Sequence, residues 1–423
     1  MLIYGTIYVT LCQVHLVKKR KEITVLLSKK STKRKVPKAI TLKIAFDGRK
    51  PLPKEIADLL VNTGVTSIHC HTNSPKMYRD TFYLPYLPSA GRDDGGLTIQ
   101  ELIDNAVEDS EKLTGGVKVK KIFLSITPHN MVYPIEIWNT INIPENVEVR
   151  LGMEVEVNFD GDLRDILVYF DDLEKFMASD FYQHYEKHVV IPAPEWENDN
   201  CDTLKRACAK YGFVEPLADV PRNCYELGWG RPNDVVAKAI QKHVFEDENT
   251  PYTEFKDYLL SAGYIPTDKK FKKSFYTEFV MNSKNEDFYC NPHVTERMAL
   301  DEFLKAIDGI ASLVIVAHPY KYEPKIDCMI NYLDGIKEAI SRITPNLIWG
   351  VEIIHSGCNE EIRNALREYV AENSIAYTVS SDFHEYKKGV CSMFVAGSEN
   401  TIVLTPEMVS SEYYAITPFN NKK

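Results

Sequence analysis

The sequence predicts an α/β protein built on a parallel sheet or barrel, carrying a mostly helical inserted domain and a β-rich N-terminal extension. Three observations predict it. Short apolar runs alternate with helical stretches on both sides of the middle of the chain. Between about 180 and 295 that alternation stops and aromatic, charged, helix-like sequence with Pro and Asn breaks takes over. Nearly every predicted core strand carries His, Asp or Glu, mostly at its carboxyl end, where α/β barrels build their sites.

Taken in order, residues 1–50 read as short strands such as Thr6–Val14 and Glu22–Leu27 joined by lysine-rich turns. A barrel half follows over 51–180: helix 54–63, strand Val65–His71, helix Leu97–Leu113, strand Val119–Ile126, helix Ile135–Ile141 and strand Val147–Val157. The insertion occupies 181–295. Alternation resumes over 296–410 with helix Thr295–Ile310, strand Leu313–Ala317, helix Met329–Arg342, strand Leu347–Ile354, helix Asn359–Glu372 and strand Ala376–Ser380. Residues 411–423 form a tail.

Composition bounds the class. Of 423 residues, 44% are hydrophobic and 26% charged, the balance of a globular enzyme with a large core. No apolar run has membrane-spanning length, and Met1 to Val17 lacks the basic start and small-residue cleavage pattern of a signal peptide. Nine cysteines are scattered without a C-x-x-C pair, which argues against a zinc knuckle or disulfide framework and fits a reducing cytoplasm. The net charge of −10 hides an asymmetry: residues 1–50 hold thirteen Lys or Arg against Glu22 and Asp47, a local +11 that leaves −21 on the rest. Such an arm either meets nucleic acid or an acidic partner, or guards exposed strand edges with lysines. No glycine-rich phosphate loop occurs, so ATP or dinucleotide use is not supported.

The chemistry lies at the strand ends. His69 and His71 are two apart on a strand, so both imidazoles reach one metal while Cys70 points the other way into packing. His129 follows the next strand, Glu154 and Glu156 lie on the one after, His318 ends another, and Asp382 and His384 close the series. A mixture of imidazole and carboxylate suits Mn, Fe or Zn better than Mg or Ca.

Together these motifs resemble those of the PHP (polymerase and histidinol phosphatase) family of metal-dependent phosphoesterases. The series is His69-Cys70-His71-Thr72, Leu97-Thr98-Ile99-Gln100-Glu101-Leu102-Ile103, Ile126-Thr127-Pro128-His129-Asn130, Gly152-Met153-Glu154-Val155, Val316-Ala317-His318-Pro319 and Ser380-Ser381-Asp382-Phe383-His384. It spans Gly64 to Tyr386 apart from the insertion. Within the insertion, Gly230-Arg231-Pro232-Asn233-Asp234, Phe255-Lys256-Asp257-Tyr258-Leu259 and Gly263-Tyr264-Ile265-Pro266 resemble the subgroup acting on nucleotide and short-RNA phosphates, as does Gly350-Val351-Glu352-Ile353. The resemblance implies a distorted seven-stranded β/α (TIM-like) barrel with two or three divalent metal ions at its mouth. The ligands it implies are His69, His71, Asp94, His129, Glu154, Asp165, His318, Asp382 and His384, with His69, His71, Asp382 and His384 central to catalysis.

The chain departs from the family pattern in places. Counting forward from His71 to the usual Asp-Gly lands on Lys76, whereas counting back from Leu97-Thr98 lands on Asp94-Gly95. Asp94 is therefore taken as the ligand and Ser74–Arg92 as a loop insertion. Asp165 stands where the family has His, which favours Mn or Fe, and Pro128 stands where an Asp is common. Arg231 matches a phosphate-gripping position, or is a solvated loop arginine. Glu156 shares a face with Glu154, and the Gly152-Met153 context favours Glu154. In the loop, Tyr83 and Tyr86 either stack a nucleobase or pack as a domain seam.

The function expected is hydrolysis of a phosphate ester on a nucleotide or on the 5′ end of a short single-stranded nucleic acid, by a metal-activated water. The alternatives are a small-metabolite phosphatase, or a lapsed barrel serving as a binding scaffold. An amidohydrolase barrel also opens with His-x-His but gives no reason for the Thr-Pro-His and Ser-Asp-Phe-His motifs.

Overall fold

The computed structural model describes residues 24–26, 41–43, 51–52, 54–72, 95–190, 193–224, 227, 229–267, 269–290, 296–354, 358–384 and 393–394. Near the N-terminus, β1 (Thr24–Leu26) and β2 (Thr41–Lys43) pair antiparallel. Thr6–Val14 lies outside the described residues. The remaining strands form one seven-stranded sheet in sequence order: β3 (Val65–Cys70), β4 (Ile122–Ile126), β5 (Val147–Phe159), β6 (Asp162–Phe170), β7 (Leu313–Val316), β8 (Trp349–Ile354) and β9 (Ala376–Val379).

The sheet curls until its two edges meet. Just past β9, Phe383 bridges to Cys70 in parallel register. The His71 amide donates to the Phe383 carbonyl at 2.7 Å, and the Phe383 amide donates to the His69 carbonyl at 3.1 Å. The seam of this nearly closed barrel thus runs through the two segments richest in potential ligands.

An all-parallel sheet is not what forms. β6 runs antiparallel to both β5 and β7, whereas the other neighbours are parallel. The cause is local. Asp160 (φ 52) and Gly161 (φ 98) are both left-handed, the conformation of a two-residue hairpin turn, and the Gly161 amide donates to Asn158 Oδ1 at 2.8 Å. A two-residue link cannot return the chain as a parallel crossover.

Helices α1 (Lys54–Thr63), α2 (Ile99–Thr114), α3 (Leu300–Ile307), α4 (Ile326–Ile343) and α5 (Glu360–Asn373) alternate with the strands. The Ile135 helix is shorter than expected, ending at Trp138, and β4 begins at Ile122 rather than Val119. In α2, the Leu-Thr-x-x-Glu-Leu motif is a capping box: Thr98 Oγ1 accepts from the Glu101 amide at 3.3 Å while Glu101 Oε2 accepts from the Thr98 amide at 2.8 Å. That motif is explained by helix initiation alone.

Outside the barrel, Leu102, Ile103 and Ala106 of α2 and Leu333 and Ile336 of α4 join the main core with Val149, Val155 and Val351. Inside it, Ile68, Leu167, Tyr169, Leu313, Ile315, Ala317 and Ala376 form a small plug, and the Tyr169 hydroxyl donates to the Ile68 carbonyl at 2.6 Å. A second buried cluster gathers between Cys201 and Cys290, centred on Phe213, Phe255, Phe275, Phe279 and Phe288. No strand occurs among the described residues of 181–290. Among the described residues, no helix is long and apolar enough to cross a membrane.

Candidate metal centre

Glu154 stands on the regular stretch of β5, whereas His69 is placed by an irregularity of its strand. Between Ser67 and Cys70 the β3–β4 register shifts, so three steps of β3 match two of β4. A bulge of this kind re-aims side chains. Consecutive residues Ile68 and His69 therefore both serve the interior, Ile68 in the plug and His69 in the ligand cluster, while Cys70 packs into the outer core. On the neighbouring strands, the Thr127-Pro128-His129 segment continues alongside β5. The Glu154 amide donates to the Pro128 carbonyl at 3.0 Å and the Asn130 amide to the Glu154 carbonyl at 2.7 Å, which sets His129 beside Glu154.

Three further backbone positions are unusual. Asn130 (φ 57), His318 (φ 25) and Asp382 (φ 52) are non-glycine residues with positive φ, a conformation that non-glycine residues seldom adopt and that clusters at functional sites. Pro319, starting a single helical turn over Pro319–Tyr322, holds the chain direction immediately after His318.

The resulting cluster is dense. His69 Nε2 and His71 Nε2 lie 3.2 Å apart. Asp382 Oδ1 is 3.3 Å from the first and 3.2 Å from the second. Glu154 sits at the centre: Oε1 is 3.3 Å from His69 Nε2 and 3.0 Å from His318 Nε2, and Oε2 is 3.2 Å from His71 Nε2 and 3.0 Å from His129 Nδ1. The His71 ring stacks between those of His129 and His384, with centroids at 4.5 and 4.3 Å. Asp165 Oδ2 is 3.9 Å from His318 Nε2, and Tyr322 holds it through a hydroxyl hydrogen bond while accepting from the Asp165 amide at 3.1 Å.

Three sets of ligand atoms emerge, each within 4.8 Å: His71, His129 and His384; His69, His71 and Glu154; and Glu154, Asp165 and His318. They overlap through His71 and Glu154. The donor chemistry fits cations. Glu154 Oε2 is buried and has no hydrogen-bond partner among the described residues, although two imidazole nitrogens approach it closely. Such crowding of donor atoms in a buried space is relieved by a shared positive ion.

Electrostatics tell the same story. Burial opposes charge on His69, but Glu154, Asp382 and Glu352 overcome it and raise the imidazole to about 10. Burial likewise resists ionisation of Glu154, yet His69, His129 and His318 hold it well below the usual carboxylate range. Asp165 is pushed well up, first by burial and then by Glu154 and Glu156. Burial lowers His318 to about 4.

The structure brings together eight of the residues singled out in the sequence: His69, His71, His129, Glu154, Asp165, His318, Asp382 and His384. Glu156 turns elsewhere, to Arg297, whose Nη2 and Nε lie 2.7 and 3.1 Å from its Oε2. Arg231 is exposed at the start of helix Pro232–Ile240. Asp94, Tyr83, Tyr86 and Lys76 lie outside the described residues. Gly95 lies against the cluster, because a Cβ there would come within 2.4 Å of the His71 and Thr72 backbone.

Three residues were not anticipated. Lys321 Nζ is 3.0 Å from Asp382 Oδ2 with its side chain 41% exposed at the rim. Tyr322 orients Asp165. Glu352, fully buried on β8, contacts His69 Nδ1 at 3.1 Å. A lone carboxylate in the apolar run Trp349-Gly350-Val351-Glu352-Ile353-Ile354 was the available signal for the last.

No family model matches the chain, and no curated protein matches it. Several solved structures are similar in part, two of them as follows. One is an amidohydrolase from Chromobacterium violaceum, with bound sulfate and no metal; it is 14% identical, covers 76% of this chain and 88% of its own, and has a TM-score of 0.44. The other, from Bifidobacterium adolescentis, is described as a metal-dependent phosphoesterase; it is 16% identical, covers 82% of this chain and 95% of its own, and has a TM-score of 0.41. Neither likeness is strong enough to assign a function, which is read from the geometry of the cluster itself.

Proposed function

We propose that this cluster binds two or three divalent cations of the Mn, Fe or Zn type and that the chain hydrolyses a phosphate ester. The observation that carries the reading is the overlap of three ligand sets, one of imidazoles and two that add carboxylates, at one end of a barrel, with a buried carboxylate oxygen at their centre that lacks a hydrogen-bond partner among the described residues. His69, His71, Glu154 and Asp382 would hold the central ion. His129 and His384 would complete a second set with His71, and Asp165 and His318 a third with Glu154. Asp94 is kept as a further ligand on the sequence pattern alone. Bound there, the ions supply Lewis-acid chemistry, lowering the pKa of water and drawing charge from phosphate oxygens.

The chain's own residues do the rest. Glu154 and the histidines fix the donor positions without solvent, since His69, His71, Glu154 and His318 are all buried. Lys321, at the rim beside Asp382, is placed to meet an anionic substrate group. The substrate class we assign is a nucleotide or the 5′ end of a short nucleic acid, on the strength of the PHP-like motifs and the +11 N-terminal segment.

Metal analysis of the purified protein, combined with a panel of phosphomonoesters and 5′-phosphorylated oligonucleotides, tests the reading. Expected are at least one transition metal per chain and turnover of a phosphoester, abolished in His69→Ala and Asp382→Asn. Protein that takes up no Mn, Fe or Zn and stays inert would instead make the barrel a scaffold. Turnover of small metabolites with none of oligonucleotides or nucleotides would remove the nucleotide assignment while leaving the hydrolase standing.

A further inference from the structure

We propose that Glu352 is a positioning residue that fixes the tautomer of His69 and ties it to His318, so that one carboxylate sets two of the ligand imidazoles at once. The inference rests on the metal reading above.

Glu352 lies on β8, 283 residues from His69, and its side chain is 0% exposed. Oε1 is 3.1 Å from His69 Nδ1, and Oε2 accepts the His318 backbone amide at 3.0 Å. Both oxygens therefore require a proton on their partner. For an imidazole, a proton committed to Nδ1 leaves the Nε2 lone pair free for a cation. In this chain that nitrogen faces Glu154 Oε1 and Asp382 Oδ1, each 3.3 Å away, at the middle of the cluster.

The second bond acts on the backbone. His318 sits at φ 25, ψ 57, a conformation that costs roughly 1–3 kcal/mol and persists only where surrounding contacts impose it. The Glu352 carboxylate supplies such a contact. It places the His318 ring with Nε2 3.0 Å from Glu154 Oε1.

Packing leaves Glu352 little choice of position. Gly350 precedes it by two residues on the same strand, and a Cβ there would come within 2.2 Å of the Ala376 carbonyl oxygen, so β8 and β9 touch backbone to backbone. The β8–β9 register then shifts between Glu352 and Ile354. An amide could not replace the carboxylate. Two donors converge on its two oxygens, whereas Gln offers one acceptor and would turn an NH₂ towards the other donor.

The test is Glu352→Gln, with affinity for Mn or Zn measured by competition against a chromophoric chelator at constant pH. The variant should bind about 10- to 100-fold more weakly, with its far-ultraviolet circular dichroism unchanged. Unchanged affinity with only a lowered denaturation midpoint would make Glu352 a structural residue and overturn the proposal. A second measurement needs no Glu352 variant. In ¹⁵N-histidine NMR of the zinc-loaded protein, the His69 signals (identified by their loss in His69→Gln) should show a protonated Nδ1 and a metal-shifted Nε2. The opposite tautomer overturns the proposal even if Glu352→Gln fails to fold. Should the wild-type protein bind no metal, the metal reading itself falls; should it bind and Glu352→Gln bind equally well, only this inference does.

Discussion

Glu154 and Glu156 are two residues apart on β5, and their exchange offers a sharp test of the site. Glu156 is 24% exposed and faces Arg297, which is 1% exposed and lies over the Trp196 ring at 5.2 Å. Asn130 Nδ2 also donates to Glu156 Oε2 at 2.9 Å. Removing the charge in Glu156→Gln breaks the ion pair it makes with a buried guanidinium. Breaking a buried pair costs about 3–5 kcal/mol, against roughly 0–1 for an exposed one. Because Glu156 keeps some solvent and Gln retains an acceptor, the lower end applies, about 3 kcal/mol. With an m-value near the top of the urea range, about 3 kcal/mol per molar, the midpoint should fall by roughly 1 M. Metal content, read by plasma mass spectrometry, should stay at the wild-type level. Glu154→Gln should do the reverse: metal is lost because two of the three ligand sets share that carboxylate. If Glu156→Gln loses metal and keeps its midpoint, the two roles are interchanged and the cluster as built here is wrong.

Other expectations follow from the same geometry. Thr98→Ala removes the capping box of α2 and should cost about 1 kcal/mol in chemical denaturation without touching metal content; a change in stoichiometry would give the Leu-Thr-x-x-Glu-Leu motif a role beyond helix initiation. Lys321→Gln should lower kcat/KM for a phosphomonoester by about tenfold, or ~1.4 kcal/mol, with metal content unchanged, and an undiminished kcat/KM would show that Lys321 does not meet substrate. In metal-stripped protein, His318 and Glu154 should make acidification destabilising, against an opposing contribution from Asp165, whose raised carboxyl takes its proton first in the folded state. His318 has a folded pKa of about 4, below its ordinary 6.5, and Glu154 is also held low, so both bind protons more readily when unfolded. Their contributions are present above the unfolded values and disappear as pH falls, for His318 between about 6.5 and 4. The fall in Tm across that window should shrink in His318→Gln, and an equal fall would place the acid sensitivity elsewhere.

Much of this was legible because its signals are local. The His-x-His pair, the Thr-Pro-His end of β4 and the Ser-Asp-Phe-His segment each follow an apolar run short enough to be a strand, and the helices between them show their periodicity openly. The antiparallel β6 was missed because its cause is a two-residue turn, Asp160-Gly161, that lies just past Val157, where the expected strand ends. Glu352 and Tyr322 went unassigned for another reason: each acts on a residue more than 150 positions away, so the apolar strand around Glu352 marks the carboxylate without naming its partner, and nothing beside Tyr322 announces its contact. Glu156 shows the limit of pattern reading. Strand periodicity places it with Glu154, and only the position of Arg297 across space separates them.

The barrel seam has a consequence for how the protein would come apart. The closing edges are joined at the ligand end by the His71–Phe383 and Phe383–His69 backbone bonds and by the Ser380 hydroxyl, which donates to the His69 carbonyl at 3.0 Å. His69 and His71 stand on one lip of this joint, and Asp382 and His384 on the other. An ion held by both lips would act as a rivet, adding a second fastening to edges that these backbone bonds already join. Slow hydrogen exchange at the His71 and Phe383 amides, compared with and without added metal, would gauge how tightly the ring is fastened.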